Sequence, residues 1–249
     1  MNRFFISPDN IKDGKAYFEN REMHHILDVL RIRPNEKIVF FDGTGNEYTG
    51  ILKRDKNRLL FANIIHKKNV EKFRFPRITL SQAIPKKEKM DWIIEKATEL
   101  NVDTIIPIIT ERCLIRKNEE VLERYTNRWR KIAISASKQC GRVVIPTIVQ
   151  PKKFLDIAKD ANINYKLAIF ATLSDKRLVL KEILSDVFPD SIIVFVGPEG
   201  DFTEKEIRLA KDFNLAPVNI SPLTLRVETA SIFLLSVLNF KYMSYTENT

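Results

Sequence analysis

The chain is short of the residues that build several common kinds of site. It has only two cysteines, Cys113 and Cys140, among 249 residues. Two are too few for a disulfide framework and are typical of a protein from a reducing cytosol. The three histidines, His24, His25 and His66, have no ligand spacing to a cysteine or an acidic cluster. We therefore expect a function that needs neither disulfides nor a bound metal.

Long apolar runs are also missing. No stretch approaches the roughly 20 apolar residues of a membrane-spanning helix, and the N-terminus reaches Pro8 too early for a signal peptide. The hydrophobic fraction of 44% nevertheless supports a real core. A length of 249 residues suffices for one large domain or two small ones. We expect a soluble cytoplasmic protein with no membrane partner.

Acidic residues are outnumbered by basic ones. The 41 lysines and arginines against 32 aspartates and glutamates give a formal net charge of +9. This excess favours an anionic partner, with nucleic acid as the first candidate, although many soluble proteins are modestly basic. The cations that we expect to contact a phosphate backbone lie near the N-terminus, in loops and along one face of a predicted helix: Arg3, Arg31, Arg33, Arg128, Lys131, Lys138 and Arg142.

The chain divides into two regions of different pattern. The first is a small β-rich unit, because short strands are separated by polar and glycine-containing turns. Its predicted elements are a helix at about 21–31 and strands at 36–41, 47–53 and 58–66. After a charged, proline-containing boundary at 70–77, strands and helices alternate. We predict two domains, residues 1–73 and 74–249, the second of the α/β class with a mostly parallel sheet.

Two loops near the C-terminus carry the most information. The second region has predicted strands at 78–83, 102–109, 167–171, 192–196 and 216–220, and helices at 90–100, 119–141 and 228–242. GPEG at 197–200 follows a strand whose apolar residues do not alternate, as in a strand covered on both faces. Thr203 and Glu206 then form a capping box that opens a helix. SPLTLRVETA at 221–230 follows the next strand. Ligands sit beyond the carboxyl ends of parallel strands, so we expect both loops to share one site.

The glycines stand in an unusual place for an α/β protein of the Rossmann type. That fold has a glycine-rich turn after its first strand. The first strand of this region instead runs into QAIPKK at 82–87, without a glycine. The glycine loop follows a late strand, and this placement argues against the common adenosyl-cofactor fold.

The motifs resemble those of the SPOUT methyltransferases, and within them the bacterial 16S rRNA uridine-N3 methyltransferases, the RsmE family. GPEG followed by LRVETA carries the resemblance, together with RFF at 3–5, HILDVLR at 25–31, MDWIIEKATEL at 90–100 and QCGR at 139–142. The motifs follow the family's order over nearly the whole chain. Two positions depart from the family pattern. Asp201 replaces a second glycine, and Ile220 and Ser221 replace Leu-Gly.

The resemblance implies an N-terminal PUA-like RNA-binding β-barrel and a C-terminal SPOUT domain with a trefoil knot, a rare exception to the rule against threaded chains. It also implies S-adenosylmethionine as cofactor, small-subunit rRNA or the assembled subunit as substrate, and a homodimer. The apolar helix 231–243 could supply the dimer surface or be a buried core helix. The cofactor would lie against three strand-end loops, at Thr172, Leu173, Val196, Gly197, Pro198, Gly200, Ile220, Ser221 and Leu225.

Methylation of uridine N3 requires removal of an imide proton and stabilisation of charge on the uracil oxygens, but no metal or covalent nucleophile. Arg226 is the candidate for charge stabilisation because its fork of donors suits anionic oxygens. Glu199 and Glu228 are the carboxylates inside the two motifs, and either could accept the proton or orient Arg226. The alternative for all three is a salt bridge that pins the loops together.

Two further candidates have simpler explanations. Cys140 could be a nucleophile, but it shares a helix face with Trp129 and Ala136, so we expect it to be buried by packing. Phe4 and Phe5 could stack on a base, but adjacent phenylalanines near a strand more often belong to a core.

The interpretation that we favour, from the resemblance, is an S-adenosylmethionine-dependent methyltransferase that acts on N3 of a specific uridine in 16S rRNA. One alternative is another SPOUT enzyme, which methylates a ribose 2′-oxygen or a different RNA. The others are a non-catalytic RNA-binding factor with the same fold and a small-molecule-binding regulator, which the positive charge makes least favoured. Arg226, Glu199 and Glu228 beside the glycines argue against the non-catalytic alternatives.

Overall fold

The protein folds into two compact units. A computed structural model describes residues 3–55, 59–70, 76–86, 89–113, 118–173, 178–185 and 188–242. The N-terminal unit consists of Met1–Lys72 and Ile134–Ile145, and the C-terminal unit of Phe73–Ala133 and Pro146–Thr249. The N-terminal unit therefore includes a short segment from the middle of the chain, Ile134–Ile145. The pattern of residues did not predict this.

A curled, largely antiparallel sheet forms the N-terminal unit. Its strands are β1 Arg3–Phe5, β2 Ile11–Lys12, β3 Lys15–Tyr17, β4 Lys37–Phe41, β5 Asn46–Arg54 and β6 Leu60–Asn69. They pair in the order β1-β4-β5-β6-β3-β2, with β1 and β4 parallel and the other neighbours antiparallel. Helix α1, Asn20–His24, continues as a π-helical stretch, His25–Val29. The predicted helix of this region thus begins as an α-helix and continues as a π-helix.

The inner face of this sheet is an aromatic and aliphatic core. Phe4 and Phe40 are fully buried, and Phe18 packs edge to face against both, with ring centroids 6.3 and 6.2 Å away. Such edge-to-face pairs are a favoured arrangement of buried rings. Phe4 is therefore a core residue and not a platform for RNA, as its position beside a strand predicted.

The segment Val143–Ile145 closes the hairpin between β4 and β5. The Gly45 N–H donates to the Val143 carbonyl (3.2 Å), and the Ile145 N–H donates to the Gly43 carbonyl (3.0 Å). Gly43 has a φ of +80°, and a Cβ there would stand 2.8 Å from Ile145 Cδ1. Only glycine meets both requirements without strain.

A parallel sheet forms the centre of the C-terminal unit. Its strands are β7 Arg77–Ala83, β8 Thr104–Ile109, β9 Thr147–Ile148, β10 Lys152–Lys153, β11 Leu167–Ala171, β12 Leu178–Val179, β13 Ser191–Val196 and β14 Ala216–Asn219. The order is β10-β8-β7-β13-β11-β14-β12, with β9 beside β8, and these pairings are parallel. The predicted α/β class is confirmed. The trefoil knot stays a prediction.

Strand β13 lies at the middle of this sheet between β7 and β11. All six of its residues are buried, which agrees with an apolar run that does not alternate. The five strands predicted for this region are present with their ends shifted by at most two residues. The two-residue strands β9, β10 and β12 lie near the edges and were not predicted, since so short a segment carries no periodic signal.

Helices pack on this sheet and fix its loops. They are α2 Lys89–Glu99, α3 Glu119–Cys140, α4 Phe154–Ala158, α5 Ala161–Asn164, α6 Leu180–Leu184, α7 Glu204–Asp212 and α8 Val227–Tyr242. The last residues of α3, from Ile134, belong to the N-terminal unit. The predicted capping box opens α7, because Thr203 Oγ1 accepts from the Glu206 N–H and the Glu206 carboxylate accepts from the Thr203 N–H.

Helix α8 is tied to the strands and to α2 by polar contacts. The Ser231 hydroxyl hydrogen-bonds buried Gln82 of β7, and the Asn239 amide donates to the Leu100 carbonyl (2.6 Å). One face of α8 is therefore core, whereas Phe233 and Phe240 are 40% and 88% exposed. The predicted end of this helix at residue 242 is confirmed, and residue 243 of the apolar segment 231–243 falls outside the described residues. Within the described ranges, each helix is too short or too polar to span a lipid bilayer.

Candidate active site

Three neighbouring strands end at one cleft of about 250 Å³. Ala171 at the end of β11 pairs with Val196 of β13 and with Val218 of β14, so the loops that follow these strands meet at the same edge of the sheet. The cleft is lined by these loops and by Lys89 from α2. The residues predicted for the site that line it are Thr172, Leu173, Val196, Gly197, Pro198, Glu199, Ile220, Ser221, Leu225 and Arg226.

Two predicted residues stand just outside the cleft lining. Glu228 lies in the first turn of α8 and reaches the site through Lys89. Gly200 turns away, and its carbonyl accepts a hydrogen bond from Arg112. The glycine loop thus has one glycine on the cleft and one behind it.

Asp201 fastens two of the loops to each other. Its backbone has a φ of +61°, a left-handed conformation that aspartate tolerates better than most residues. The Asp201 carboxylate accepts from the Thr172 hydroxyl (2.9 Å) and from the Leu173 N–H (2.8 Å). This side chain therefore replaces the usual glycine at an acceptable backbone geometry and adds a link that glycine cannot make.

The loop after β8 clamps the glycine loop from behind. The Arg112 guanidinium donates to the carbonyls of Gly200 and Phe202. Its neighbour Glu111 accepts from the Thr203 hydroxyl (3.0 Å) and donates its N–H to Glu206 (2.9 Å). Glu111 and Arg112 were not among the site residues predicted from the sequence. Their one signal was their place directly after a strand, at the same edge of the sheet as the two motifs.

Ser221 shapes the third loop where the family pattern has glycine. The Ser221 N–H donates to the Asn219 side chain (3.3 Å), and its hydroxyl accepts from the Leu223 N–H (3.1 Å). Serine side chains commonly stabilise turns in this way. The Leu225 N–H, on the cleft, makes no hydrogen bond within the described residues, so it is open to a ligand.

A lysine that the motifs did not reveal holds the two glutamates. The Lys89 Nζ lies 3.2 Å from Glu228 Oε2 and 3.4 Å from Glu199 Oε1, and Glu199 also accepts from the Lys86 N–H (3.0 Å). The Arg226 side chain, which is exposed on the cleft, makes no hydrogen bond or ion pair within the described residues. The two glutamates thus form ion pairs with Lys89 and not with Arg226.

This ion pairing, together with hydrogen bonds, makes Glu199 a poor proton acceptor. Desolvation raises the pKa of Glu199, but hydrogen bonds from its own N–H, from Lys86 and from Lys89 outweigh it and lower the pKa below 4.5. Desolvation likewise opposes the charge of Lys89, yet Glu228 and Glu199 raise its pKa above 10.5. Glu199 is therefore an anchored anion, poorly suited to take a proton near neutral pH.

We expect Lys89→Gln to destabilise the C-terminal unit by about 1 kcal/mol at pH 7, a value discounted for partial exposure of these side chains. The lowered pKa of Glu199 adds stability above pH 4.5, and the raised pKa of Lys89 adds it below pH 10.5. The difference from wild type should therefore be largest between these values and shrink outside them. Urea unfolding followed by tryptophan fluorescence measures it, since Trp92 and Trp129 both belong to this unit.

Lys96→Gln is the matched control. Lys96 is on the same helix and pairs with Glu95 and Glu99, away from the cleft. Only the Lys89 variant should also weaken ligand binding at the cleft. A pH-independent difference in stability for Lys89→Gln would contradict the assigned role of Glu199.

Comparisons with known proteins agree with this arrangement. Residues 72–239 match the family model of the RNA methyltransferase domain, and residues 18–62 match the RNA methyltransferase PUA domain. The chain belongs to the ribosomal RNA small subunit methyltransferase E family. The member from Rickettsia conorii is 30% identical over 236 residues, with 93% of this chain and 92% of the relative covered. The member from Bacillus subtilis is 24% identical over 248 residues, with 97% of each covered.

Two solved structures, one of them a ribosomal RNA small subunit methyltransferase E, share the fold. The protein from Neisseria gonorrhoeae, bound to S-adenosylmethionine, has a TM-score of 0.83 and 28% identity, with 97% of this chain and 98% of that chain covered. A Legionella pneumophila protein solved with the same bound cofactor has a TM-score of 0.86 and 30% identity, with 96% of each chain covered. The resemblance drawn from five motifs is thereby confirmed.

The basic residues predicted to contact RNA fall into two groups in this methyltransferase E chain. Arg31, Arg33 and Lys131 are exposed, and exposed Arg128 pairs with Asp91. The others are half-buried and bind within the N-terminal unit: Arg3 contacts Glu47 and the Gly141 carbonyl, Lys138 contacts Glu22, and Arg142 lies close by on the same segment. Arg3 and Lys138 therefore stabilise their own unit. Lys56 and Arg58, two further basic residues of the first region that we expected near a phosphate backbone, lie outside the described residues.

The expectation that Cys140 is buried was wrong. Trp129 and Ala136 are buried as predicted, but Cys140 is exposed because α3 ends there and Gly141 turns the chain with a φ of +83°. Cys140 belongs to the N-terminal unit and has no place in the cleft. Among the described residues, no group of three or more histidine, cysteine, aspartate or glutamate side chains is placed to hold a metal.

Proposed function

We propose that this protein transfers a methyl group from S-adenosylmethionine to N3 of a uridine in small-subunit (16S) rRNA. The observation that carries the proposal is the cleft at the ends of β11, β13 and β14, where Arg226, unpaired among the described residues, lies beside two carboxylates fixed by Lys89. Relatives named ribosomal RNA small subunit methyltransferase E, one of them solved with this cofactor, support it.

The residues of the cleft fit the cofactor. Val196, Ile220 and Leu225 supply apolar walls, and the open Leu225 N–H offers a main-chain donor, the combination by which adenine is commonly held. Gly197 lets the backbone approach a ligand closely. When bound, S-adenosylmethionine supplies a methyl group activated by the positive charge on sulfur. The protein then has to position the uracil, exclude water from it, accept its N3 proton and stabilise the negative charge that results.

Arg226 would stabilise the uracil. Loss of the N3 proton spreads negative charge over the flanking carbonyl oxygens, and a guanidinium can donate two parallel hydrogen bonds to such a group. Arg226 has these donors available, since it is unpaired within the described residues. Glu228 is the carboxylate that we assign to the proton, because its one contact among the described residues is the Lys89 ion pair, whereas Glu199 is also held by the Lys86 N–H. Glu199 would position Lys89 and the loop.

We further propose a homodimer that works in the cytoplasm, where ribosomal subunits are assembled. A groove of about 820 Å³ runs beside α8 and is lined by Phe233, Phe240 and other largely apolar residues. It shares Ile220 and Ser221 with the cleft. A second copy seated there would cover the exposed apolar side chains of Phe233 and Phe240.

The direct test is transfer of radiolabelled methyl groups to purified rRNA or to small ribosomal subunits, followed by digestion to nucleosides. We expect label in 3-methyluridine from small-subunit rRNA, with no metal added, and none in large-subunit rRNA. The Arg226→Ala protein is the control for contaminating activities. Label in a 2′-O-methyl nucleoside or in another RNA would favour a different SPOUT activity, and no transfer to any RNA would contradict the proposal.

A further inference from the structure

The outward face of the N-terminal sheet carries a pair of rings. Tyr17 of β3, Phe61 of β6 and Lys53 of β5 are direct cross-strand partners, so their side chains point to one face of the sheet. The next outward row holds Lys15, Asn63, Ile51 and Lys37 in the same manner. We name these seven residues the ring face.

The two rings are accessible and lie side by side. Tyr17 is 39% exposed and Phe61 half-buried. Their centroids are 6.0 Å apart with an angle of 35° between the ring planes, so both present surface in nearly the same direction. Each strand has a small buried neighbour beneath, Ala16 and Ala62, and the rings are therefore not needed to fill the core.

The charge around the rings has one sign. The Lys15 Nζ lies 5.3 Å from the Phe61 ring centroid, and the Lys53 Nζ is held by the Asn35 side chain at 2.6 Å. With Lys37, three lysines surround two rings, and neither row contains an acidic residue. Rings between cations are what a polyanion with flat bases requires.

The unit's own chain covers the other end of this sheet face and leaves the ring face open. At the β1 and β4 end, Val39 and Phe41 are buried and the segment Val143–Ile145 binds the hairpin. No comparable segment within the described residues of this unit lies over Tyr17 and Phe61, since both remain accessible.

We propose that the ring face binds a single-stranded stretch of the RNA substrate, with bases stacked on Tyr17 and Phe61 and phosphates near Lys15, Lys37 and Lys53. The inference rests on the proposed function, in which the substrate is RNA, and names a surface far in sequence from the methyl-transfer motifs. Stacking is tolerant of sequence because every base has a π-face. The ring face therefore contributes affinity, while the cleft selects the nucleotide.

Binding of a fluorescein-labelled RNA of about ten nucleotides, within the usual site size of such surfaces, tests the proposal in the full-length protein. Stacking contributes roughly 1–3 kcal/mol per base, so Tyr17→Ala and Phe61→Ala should each weaken binding by at least about fivefold. Tyr17→Phe and Phe61→Tyr keep a ring and should bind within about twofold of wild type. Val29→Ala, another exposed apolar side chain of this unit, is the control.

The salt dependence of RNA binding distinguishes stacking on the rings from electrostatic contacts with the lysines. The ring variants should keep the wild-type slope of log affinity against log salt, whereas Lys15→Gln and Lys37→Gln should each flatten it. If an alanine variant does not fold, the leucine variant at the same position takes its place. Unchanged affinity in both ring variants would overturn the proposal, and a changed oligomeric state without a changed RNA affinity would assign the face to a second copy. Wild-type methyl transfer, measured in parallel, shows separately whether the proposed function fails.

Discussion

Replacing Arg226 with alanine is expected to slow methyl transfer by about 10²–10³-fold, which corresponds to about 2.7–4 kcal/mol of lost transition-state stabilisation by analogy with removal of an oxyanion-hole donor. The reason is that Arg226 lies on the cleft and, within the described residues, has no partner. Its donors are therefore available for charge that develops on the base. Single-turnover transfer with both substrates saturating measures the chemical step alone.

The Arg226→Lys protein should recover little of the rate, because a single ammonium cannot reproduce two parallel donors. Arg208→Ala is the matched control, since Arg208 is an exposed arginine of the same unit that pairs with Glu204 on α7. A rate within a few-fold of wild type for Arg226→Ala would leave Glu228 as the principal candidate. A loss explained wholly by weaker cofactor binding would assign Arg226 to the cofactor pocket.

Gly197→Ala is expected to weaken S-adenosylmethionine binding by at least about tenfold, whereas Gly200→Ala should stay within about twofold. A Cβ at Gly197 would stand 3.1 Å from the nearest carbon atoms of the Phe202 ring. This ring has no space to move away, because its centroid lies 4.5 Å from that of Phe170 and 5.2 Å from that of Phe154. The loop must move instead, and overpacking of this kind typically costs 1–3 kcal/mol. A Cβ at Gly200 would make an ordinary contact, 3.4 Å from Arg112 Cδ.

Calorimetric titration of the folded variants with the cofactor measures both effects, and the thermal midpoint of each variant shows that it is folded. Gly200→Ala is the control for removing a glycine from the same loop. Equal cofactor affinity in Gly197→Ala and Gly200→Ala would contradict the prediction. It would mean that the glycine on the cleft and the glycine behind it affect cofactor binding equally.

Much of the C-terminal fold follows from local pattern. The non-alternating run before the glycine loop predicted a central strand, and β13 is buried at every residue. The capping box at Thr203 and Glu206 predicted the start of α7. These features depend on neighbours close in sequence, so a single chain is enough to read them. The meeting of three loops at one cleft followed from a general property of parallel sheets.

The features of the site that the sequence did not predict depend on contacts between residues far apart in the chain. Lys89 stands on α2, over one hundred residues before Glu199, and no spacing links them. Asp201 was visible only as a departure from a glycine, and its bonds to Thr172 and Leu173 needed the structure. For the same reason, local pattern assigned the same role to Gly197 and Gly200. Exposure of Cys140 depends on where α3 ends, a property that periodicity defines poorly.

The return of residues 134–145 to the N-terminal unit has a consequence for how the protein matures on the ribosome. The Arg3 guanidinium must wait for the Gly141 carbonyl, 138 residues further along the chain. At roughly 5–20 residues per second, translation takes about 7–28 seconds to supply it. During that interval β1 to β6 have left the exit tunnel without the segment that closes their hairpin, while β7 and β8 are already made. The N-terminal unit therefore cannot complete its structure until a large part of the C-terminal unit, through most of α3, has been synthesised.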